Sequence, residues 1–254
     1  MQYSSREMMT IAAAREIEDG ATVFCGTGLS MLAAVAAKKI TAPNSFIFFE
    51  TGAIDSRLEE IPMAVADPRV MHGACINTSM LEAFAFMQNR NTGTNVIGIL
   101  GAAQIDPFGN LNTTCIGDYR QPKVRFPGSG GGCDVTSFVP KSIIFMQQEK
   151  RKFVERLDYM TSPGYLEGGA SREAAGLPAG GPGAVVTNMG ILRFDPDSKR
   201  MYLSGCYQGV SPEMIEAKTG FALDTAHAVP VPPPTAEELT ILRTECDPQR
   251  LICT

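Results

Sequence analysis

Residues 21–50 read ATVFCG, TGLSMLAAVAAKKI and, after a short link, SFIFFE: a short apolar run, a stretch with helical spacing, and a second short apolar run. Neither run alternates apolar with polar positions, so each strand is expected to be covered on both faces, as in a parallel sheet packed by helices. This strand, helix, strand unit restricts the chain to the α/β class more firmly than any other feature. NVIGILGA (95–102) and SIIFMQ (142–147) read as further buried strands of the same kind. At 254 residues and 44% hydrophobic content the chain is long and apolar enough to build a substantial core around them.

The remaining elements are weaker. Ser4 and Glu7 have capping-box spacing, and Met8, Met9, Ile11, Ala12 and Ile17 recur at helical intervals up to Gly20, which predicts a first helix. Leu81 to Asn89 reads as another, while QQEKRKFVER (147–156) is charged and only weakly amphipathic. From about residue 160 the texture changes to GYLEGGASREAAGLPAGGPGA (164–184), a linker or a loop wrapping one domain. AVVTNMGILRFD and KRMYLSGCY then read as two strands pairing around DPDS. Ser211-Pro212-Glu213 opens a short helix, and VPVPPP leads into a last one, AEELTILRTE. The expectation is one domain over 1–254, with a core of about 1–160 and a Gly/Pro-rich extension of about 161–254.

Several function classes are set aside by composition. The formal net charge is -5 and no dense Lys/Arg stripe interrupts it, which speaks against a nucleic-acid partner. The first twenty residues lack the apolar centre of a signal peptide, and no apolar run approaches the ~20 residues of a membrane span. Seven scattered cysteines without a CxxC pair suit free thiols in a reducing cytoplasm. With only His72 and His227 available, a histidine-based metal site is not expected.

Glu50 is the residue that asks for an explanation, because it closes the run FIFF and ionised carboxylates are seldom buried unless paired or put to use. Two readings are open: a solvated strand-end acid, or a group delivered to the crevice beyond the carboxyl ends of parallel strands. Thr51-Gly52 forces a turn that leaves the carboxylate at the strand tip. The cluster Gly128 to Gly132 is either a flexible turn or a row of unobstructed amides for an oxyanion or phosphate. It is not a Walker loop, and Gly26-Thr27-Gly28 lacks the third glycine of a dinucleotide fingerprint. His72 and Cys75 suggest a Cys/His nucleophile but show no orienting acid nearby, and Asp106 and Asp118 read as turn caps.

GTGLSMLAA after the first strand, ETGAID around Glu50, LGAAQIDPFGNLNTTCIGDY (100–119), KVRFPGSGGG (123–132), MQQEKRKF (146–153), YMTSPGY (159–165) and KRMYLSGCY (199–207) occur in a telling order and spacing. Together they resemble the beta subunits of the glutaconate CoA-transferases, a class I CoA-transferase family, almost from end to end. The resemblance implies an open, mainly parallel α/β sheet with helices on both faces (NagB/RpiA-like), closed by a C-terminal hairpin and short helices. It implies Glu50 as nucleophile, with Thr51 at the variable centre of the family's Glu-Ser-Gly or Glu-Asn-Gly motif. Gly130 and Gly131 are expected to supply oxyanion-binding amides, with Gly101 and Ala102 as backbone neighbours of the site.

What else the resemblance implies is a partner and a substrate. The family's site lies between this subunit and a related alpha subunit, a heterodimer assembled into a larger heteromer. Coenzyme A enters as substrate, with no cofactor bound permanently. The expected reaction is ping-pong transfer of CoA between a short dicarboxylic acyl-CoA such as glutaconyl-CoA and a carboxylate such as acetate, through a glutamyl-CoA thioester. Two alternatives are an acyl-CoA hydrolase or decarboxylase on the same scaffold, and a non-catalytic acyl-CoA-binding subunit. The decarboxylase branch replaces the motif glutamate by cysteine, which Glu50 argues against.

Overall fold

In the computed structural model, which describes residues 2–89 and 93–253, the chain starts with helix α1 (Ser5–Ala14). Its capping box is formed as expected: the Ser4 hydroxyl accepts from the Glu7 amide and Glu7 accepts from the Ser4 amide. The helix stops at Ala14 and not near Gly20, and Met8 through Ala14 are buried all round. Strand β1 (Thr22–Cys25), helix α2 (Leu29–Ile40) and strand β2 (Phe46–Phe48) then make the strand, helix, strand unit, with α1 packed on α2.

The chain divides into two units, 1–100 with 233–254, and 101–232. In the first, β1 pairs in parallel with β2 on one side and with a later strand on the other. Beyond β2 come two short antiparallel strands, β3 (Ala53–Ile54) and β4 (Ile76–Asn77). Helix α3 (Met80–Gln88), capped by Ser79 and Glu82, matches the expected helix within a residue. The later strand is β5 (Val96–Gly101). Edge-to-face rings from β1, β2 and α3 fill the space between: Phe24 lies 5.3 Å and Phe86 5.7 Å from Phe48. Burying Phe48 and Phe49 completely contributes about 2–3 kcal/mol for each ring. Phe46, at the start of the FIFF run, instead stays half exposed beneath the Lys38 ammonium. A C-terminal helix, Ala236–Ile241, returns to this unit with Thr235 and Glu238 as its capping box.

The second unit opens with two small hairpins, β6 (Gln104–Ile105) with β7 (Leu111–Asn112), and β8 (Cys115–Ile116) with β9 (Val124–Arg125). Helix α4 (Gly132–Phe138) packs on β10 (Lys141–Met146) and the strand parallel to it, β11 (Gly181–Thr187). The short helix α5 (Ser171–Ala174) lies in the connection between them. AVVTNMGILRFD does not form one strand. It breaks at Asn188-Met189 into β11 and β12 (Gly190–Phe194), which pair antiparallel, and β13 (Met201–Cys206) pairs with β12, so the expected hairpin is a three-stranded meander. The break is fixed by Thr187, whose hydroxyl oxygen accepts the amides of Met189 and Gly190. Residues 147–156 form no helix and make single bridges, Phe153 to Ile105 of the β6–β7 hairpin and Val154 to Gly220. Ser211 caps helix α6 (Pro212–Glu216), and the VPVPPP segment contributes a two-residue strand, β14 (Val229–Pro230), beside β13.

The sheet is mixed and mainly parallel, and the α/β class expected from the sequence holds. No helix among the described residues is long and apolar enough to cross a membrane.

Candidate active site

Glu50 is placed by a hairpin. The Phe49 amide donates to the Ala53 carbonyl (3.0 Å) and the Gly52 amide to the Phe49 carbonyl (2.9 Å), so that Phe49 and Ala53 close Glu50, Thr51 and Gly52 into a three-residue loop. Such loops need a left-handed residue at their third position. Gly52 supplies it at φ +95°, and a Cβ there would run into the Thr78 carbonyl group. Thr78 also donates its amide to the Gly52 carbonyl (2.9 Å), so the turn is backed by the start of α3.

The turn is anchored at its base. Lys38 Nζ donates to the Ser45 carbonyl (2.8 Å) just before β2 and is ion-paired with Asp55 just after β3. Asp55 stands at φ +53°, a conformation costly for a residue with a Cβ, and the ion pair and its amide bond to the Ile47 carbonyl hold it there. At the other end of the hairpin Glu50 is half-buried and its side chain makes no hydrogen bond or ion pair among the described residues. Among the described residues, therefore, nothing occupies either carboxylate oxygen.

The neighbours of Glu50 in the first unit follow from register. Phe24 pairs with Phe48, so Gly26 and Glu50 each stand two residues past that pair, at the carboxyl ends of parallel strands. The amino end of α2 lies on the same edge, with Gly28 as an N-cap that offers no side-chain acceptor. Helix amino ends favour negative charge. This contribution of GTG is not visible from motif matching, because the segment does not fit a nucleotide fingerprint. Cys25, at the end of β1, is no competing nucleophile, since burial pushes its thiol up to about 12.

Gly130 and Gly131 belong to the second unit. Their loop is pinned on both sides: the Gly128 amide donates to the Thr113 carbonyl (3.0 Å), Thr113 Oγ1 donates to the Gly128 carbonyl (2.8 Å), and Ser129 Oγ accepts the Cys133 amide (3.0 Å). The loop runs directly into α4, so the cluster is an ordered turn. Gly130 stands at φ +48° with open space where a Cβ would be, and neither the Gly130 nor the Gly131 amide has a partner among the described residues. Gly101 is exposed at the end of β5, and Ala102 links it to the β6–β7 hairpin. The candidate residues thus fall in two groups, Glu50 in the first unit and the glycines with Ala102 in the second.

The other candidates resolve as structural groups. Asp106 accepts the amides of Phe108 and Asn110, and Asp118 those of Arg120 and Gln121, both as turn caps. Burial holds the Asp106 carboxyl above its ordinary range in spite of these bonds. Cys75 does have an acid beside it, Asp55 at 3.9 Å, because β3 and β4 bring the two together from 20 positions apart in sequence. His72 ends the turn Pro68–Met71 and is not part of that pair. Among the described residues no group of three or more His, Cys, Asp or Glu could hold a metal ion.

Comparisons with known proteins bear on the family of the chain and on its fold. Residues 6–218 match the family model for coenzyme A transferase. The chain is 42% identical to the beta chain of glutaconate CoA-transferase from Acidaminococcus fermentans, over 97% of this chain and 93% of the relative. It is 37% identical to the corresponding chain of 3-oxoadipate CoA-transferase from Pseudomonas knackmussii, over 95% and 92% of the two chains. Its fold superimposes on the crystal structure of glutaconate coenzyme A-transferase from Acidaminococcus fermentans with a TM-score of 0.96 at 39% identity, covering 100% of this chain and 98% of the other. A free carboxylate at a glycine-backed turn, two glycine amides without partners among the described residues and this match over most of the chain lead to one conclusion: the chain belongs to the coenzyme A transferase family.

Proposed function

We propose that this chain is the beta-type subunit of a CoA-transferase that moves coenzyme A between a short dicarboxylic acyl-CoA, such as glutaconyl-CoA, and a carboxylate acceptor such as acetate, with Glu50 as the carrier. The observation that carries the reading is the Glu50 turn. A carboxylate held by a rigid hairpin, with no partner among the described residues, has both oxygens available for attack. Both relatives are named for dicarboxylic acids, which favours that substrate class.

Glu50 attacks the thioester carbonyl, and collapse of the tetrahedral intermediate expels CoA thiolate and leaves an acyl-glutamyl anhydride. The thiolate then attacks the Glu50 carbonyl, releasing the donor acid and forming a glutamyl-CoA thioester. The acceptor carboxylate and the thiolate repeat the two steps in reverse. No net proton is transferred, so the chain needs no general base. It needs donors for the oxyanions, a role we assign to the amides of Gly130 and Gly131 with Gly101 and Ala102 as backbone neighbours. Coenzyme A is a substrate here and no cofactor is permanently bound. An alpha-type chain completes the site and assembles with this one in a heteromer, in the cytoplasm.

The test is to co-express the chain with an alpha-type partner, incubate with glutaconyl-CoA, reduce with borohydride and map the modified peptide by mass spectrometry. Reduction at Glu50, absent from Glu50→Gln and accompanied by acyl exchange onto acetate, is expected. Free acid and CoA accumulating without exchange would indicate a hydrolase. No adduct in an assembled complex that binds CoA would refute the carrier role.

A further inference from the structure

Arg172 is a buried cation whose acceptors among the described residues are all uncharged. It is 3% exposed, and no carboxylate pairs with it among the described residues. Its guanidinium is spent on carbonyl oxygens: Nε donates to Pro178 (3.0 Å), Nη1 to Gly164 (2.8 Å), and Nη2 to both Thr136 and Ser137 (2.8 Å each). Desolvation holds its pKa below the ordinary value. A buried charge is costly, and here four carbonyl acceptors offset that cost, each of which would lose its donor if the guanidinium were removed.

Three of the four carbonyls it binds belong to α4 or to the segment behind the glycine loop. Thr136 and Ser137 lie in the last turn of α4, where helix carbonyls lack partners, and Gly164 lies in the segment that backs the glycine loop. In that segment Thr161 Oγ1 accepts the Thr113 amide (2.9 Å), Thr113 in turn holds Gly128, and Ser162 Oγ lies where a Cβ on Gly132 would touch it at 3.3 Å. Arg172 therefore ties the far end of α4 to the strip that supports its near end.

We propose that Arg172 is a positioning residue for acyl transfer: by fixing α4 between its last carbonyls and the 161–164 strip, it holds the Gly130 and Gly131 amides where the oxyanion develops. The inference rests on the oxyanion role assigned to those glycines. Arg172 touches no reacting atom, so its loss acts on the transition state and leaves ground-state binding alone. A displacement of about 1 Å can cost on the order of 100-fold in rate.

The experiment uses the co-expressed complex and single-turnover acylation of Glu50 by glutaconyl-CoA, normalised to the fraction of Glu50 that can be labelled, so that loss of folded protein does not register. For Arg172→Met the rate is expected to fall about 10- to 100-fold with KM for the acyl-CoA changed less than about threefold. Arg172→Lys, which keeps the charge with fewer and less directed donors, is expected between wild type and Arg172→Met, and it serves if Arg172→Met does not fold. Gly131→Pro removes one amide at a φ of -78° that proline accepts, and it is expected to slow acylation about 100-fold or more. In the double variant the two losses should not multiply. Wild-type rates in the Arg172 variants with a slow Gly131→Pro would overturn the positioning role and leave the oxyanion reading intact, as would full multiplication in the double variant. A wild-type rate in Gly131→Pro would overturn the oxyanion reading at Gly131 and the positioning role with it.

Discussion

Glu50 in the first unit and Arg172 in the second are treated in opposite ways by the fold around them. Glu50 is half-buried, sits on a tightly specified turn, and its carboxylate binds no group among the described residues. Arg172 is almost fully buried and has four bonds to carbonyls. The difference is one of purpose. A nucleophile must keep its lone pairs free, so the rigidity goes into the backbone beneath it. A group that positions others must be saturated itself.

The sharpest way to break this contrast is to remove the free group. Glu50→Ala should lower transferase turnover by at least about 10⁴-fold, since a covalent carrier has no substitute. Its melting temperature should stay within about 2 °C of wild type, because the Glu50 carboxylate makes no bond among the described residues whose loss would register. Steady-state kinetics and a melting curve on the same preparation check both halves.

Next comes the backbone that holds it. Gly52→Ala places a Cβ against the Thr78 carbonyl at a φ of +95°, so it should cost about 2–4 kcal/mol and, in the protein that still folds, lower turnover about 100-fold by tilting the turn. Urea unfolding and turnover per folded molecule measure the two effects separately. If turnover per folded molecule is normal, the rigidity of the turn is not what presents Glu50.

A second carboxylate sharpens the comparison from the other side. Glu7 is 1% exposed and bidentate to Arg243, at 2.6 and 3.0 Å. The Arg243 guanidinium, helped by the Ser4 amide, holds its carboxyl below the usual range against the opposing effect of burial. Its folded pKa lies below the roughly 4.3 of an unfolded glutamate, so its contribution is complete above that value and is lost as pH falls through the folded one. Glu7→Ala should therefore destabilise by about 3 kcal/mol near neutral pH, and the gap to wild type should shrink below about pH 4. Denaturant titrations at the two pH values give the result, and a gap that grows on acidification would reverse the sign of the argument.

The smallest effect is expected at Gly101. A Cβ there would lie 3.6 Å from the Phe145 carbonyl oxygen, an ordinary contact, so Gly101→Ala should change stability by no more than about 0.5 kcal/mol. Any loss of turnover would then report crowding of the substrate, which is what a backbone neighbour of the site should show.

The parts of this contrast are unequally legible in the sequence. FIFF followed by ETG carries its meaning locally: aromatic strand residues, then a glycine that only a turn explains. The glycine run is legible as a loop but not as an ordered one, because Thr113 and Ser129, which pin it, look like ordinary polar loop residues. Arg172 is not legible at all. In GGASREAAG it sits in a stretch that reads as a linker or loop, and its burial depends on carbonyls 6, 8, 35 and 36 positions away. Asp55 is hidden in the same way, since the acid beside Cys75 is a neighbour only through the β3–β4 pairing. The meander reads as a hairpin because the break at Asn188-Met189 is made by a threonine hydroxyl and not by a glycine-proline signal.

Whether Glu50 carries CoA can be read from its own oxygen atoms. In the proposed sequence the acceptor carboxylate attacks the glutamyl thioester, and when thiolate cleaves the resulting anhydride the bridging oxygen stays with Glu50. Turnover of the co-expressed complex with glutaconyl-CoA and acetate labelled with oxygen-18 should therefore add one and then two heavy oxygens to the Glu50 peptide, as read by mass spectrometry after digestion. Exchange onto acetate with no heavy oxygen in that peptide, or with the label on a different carboxylate, would show that Glu50 is not the carrier.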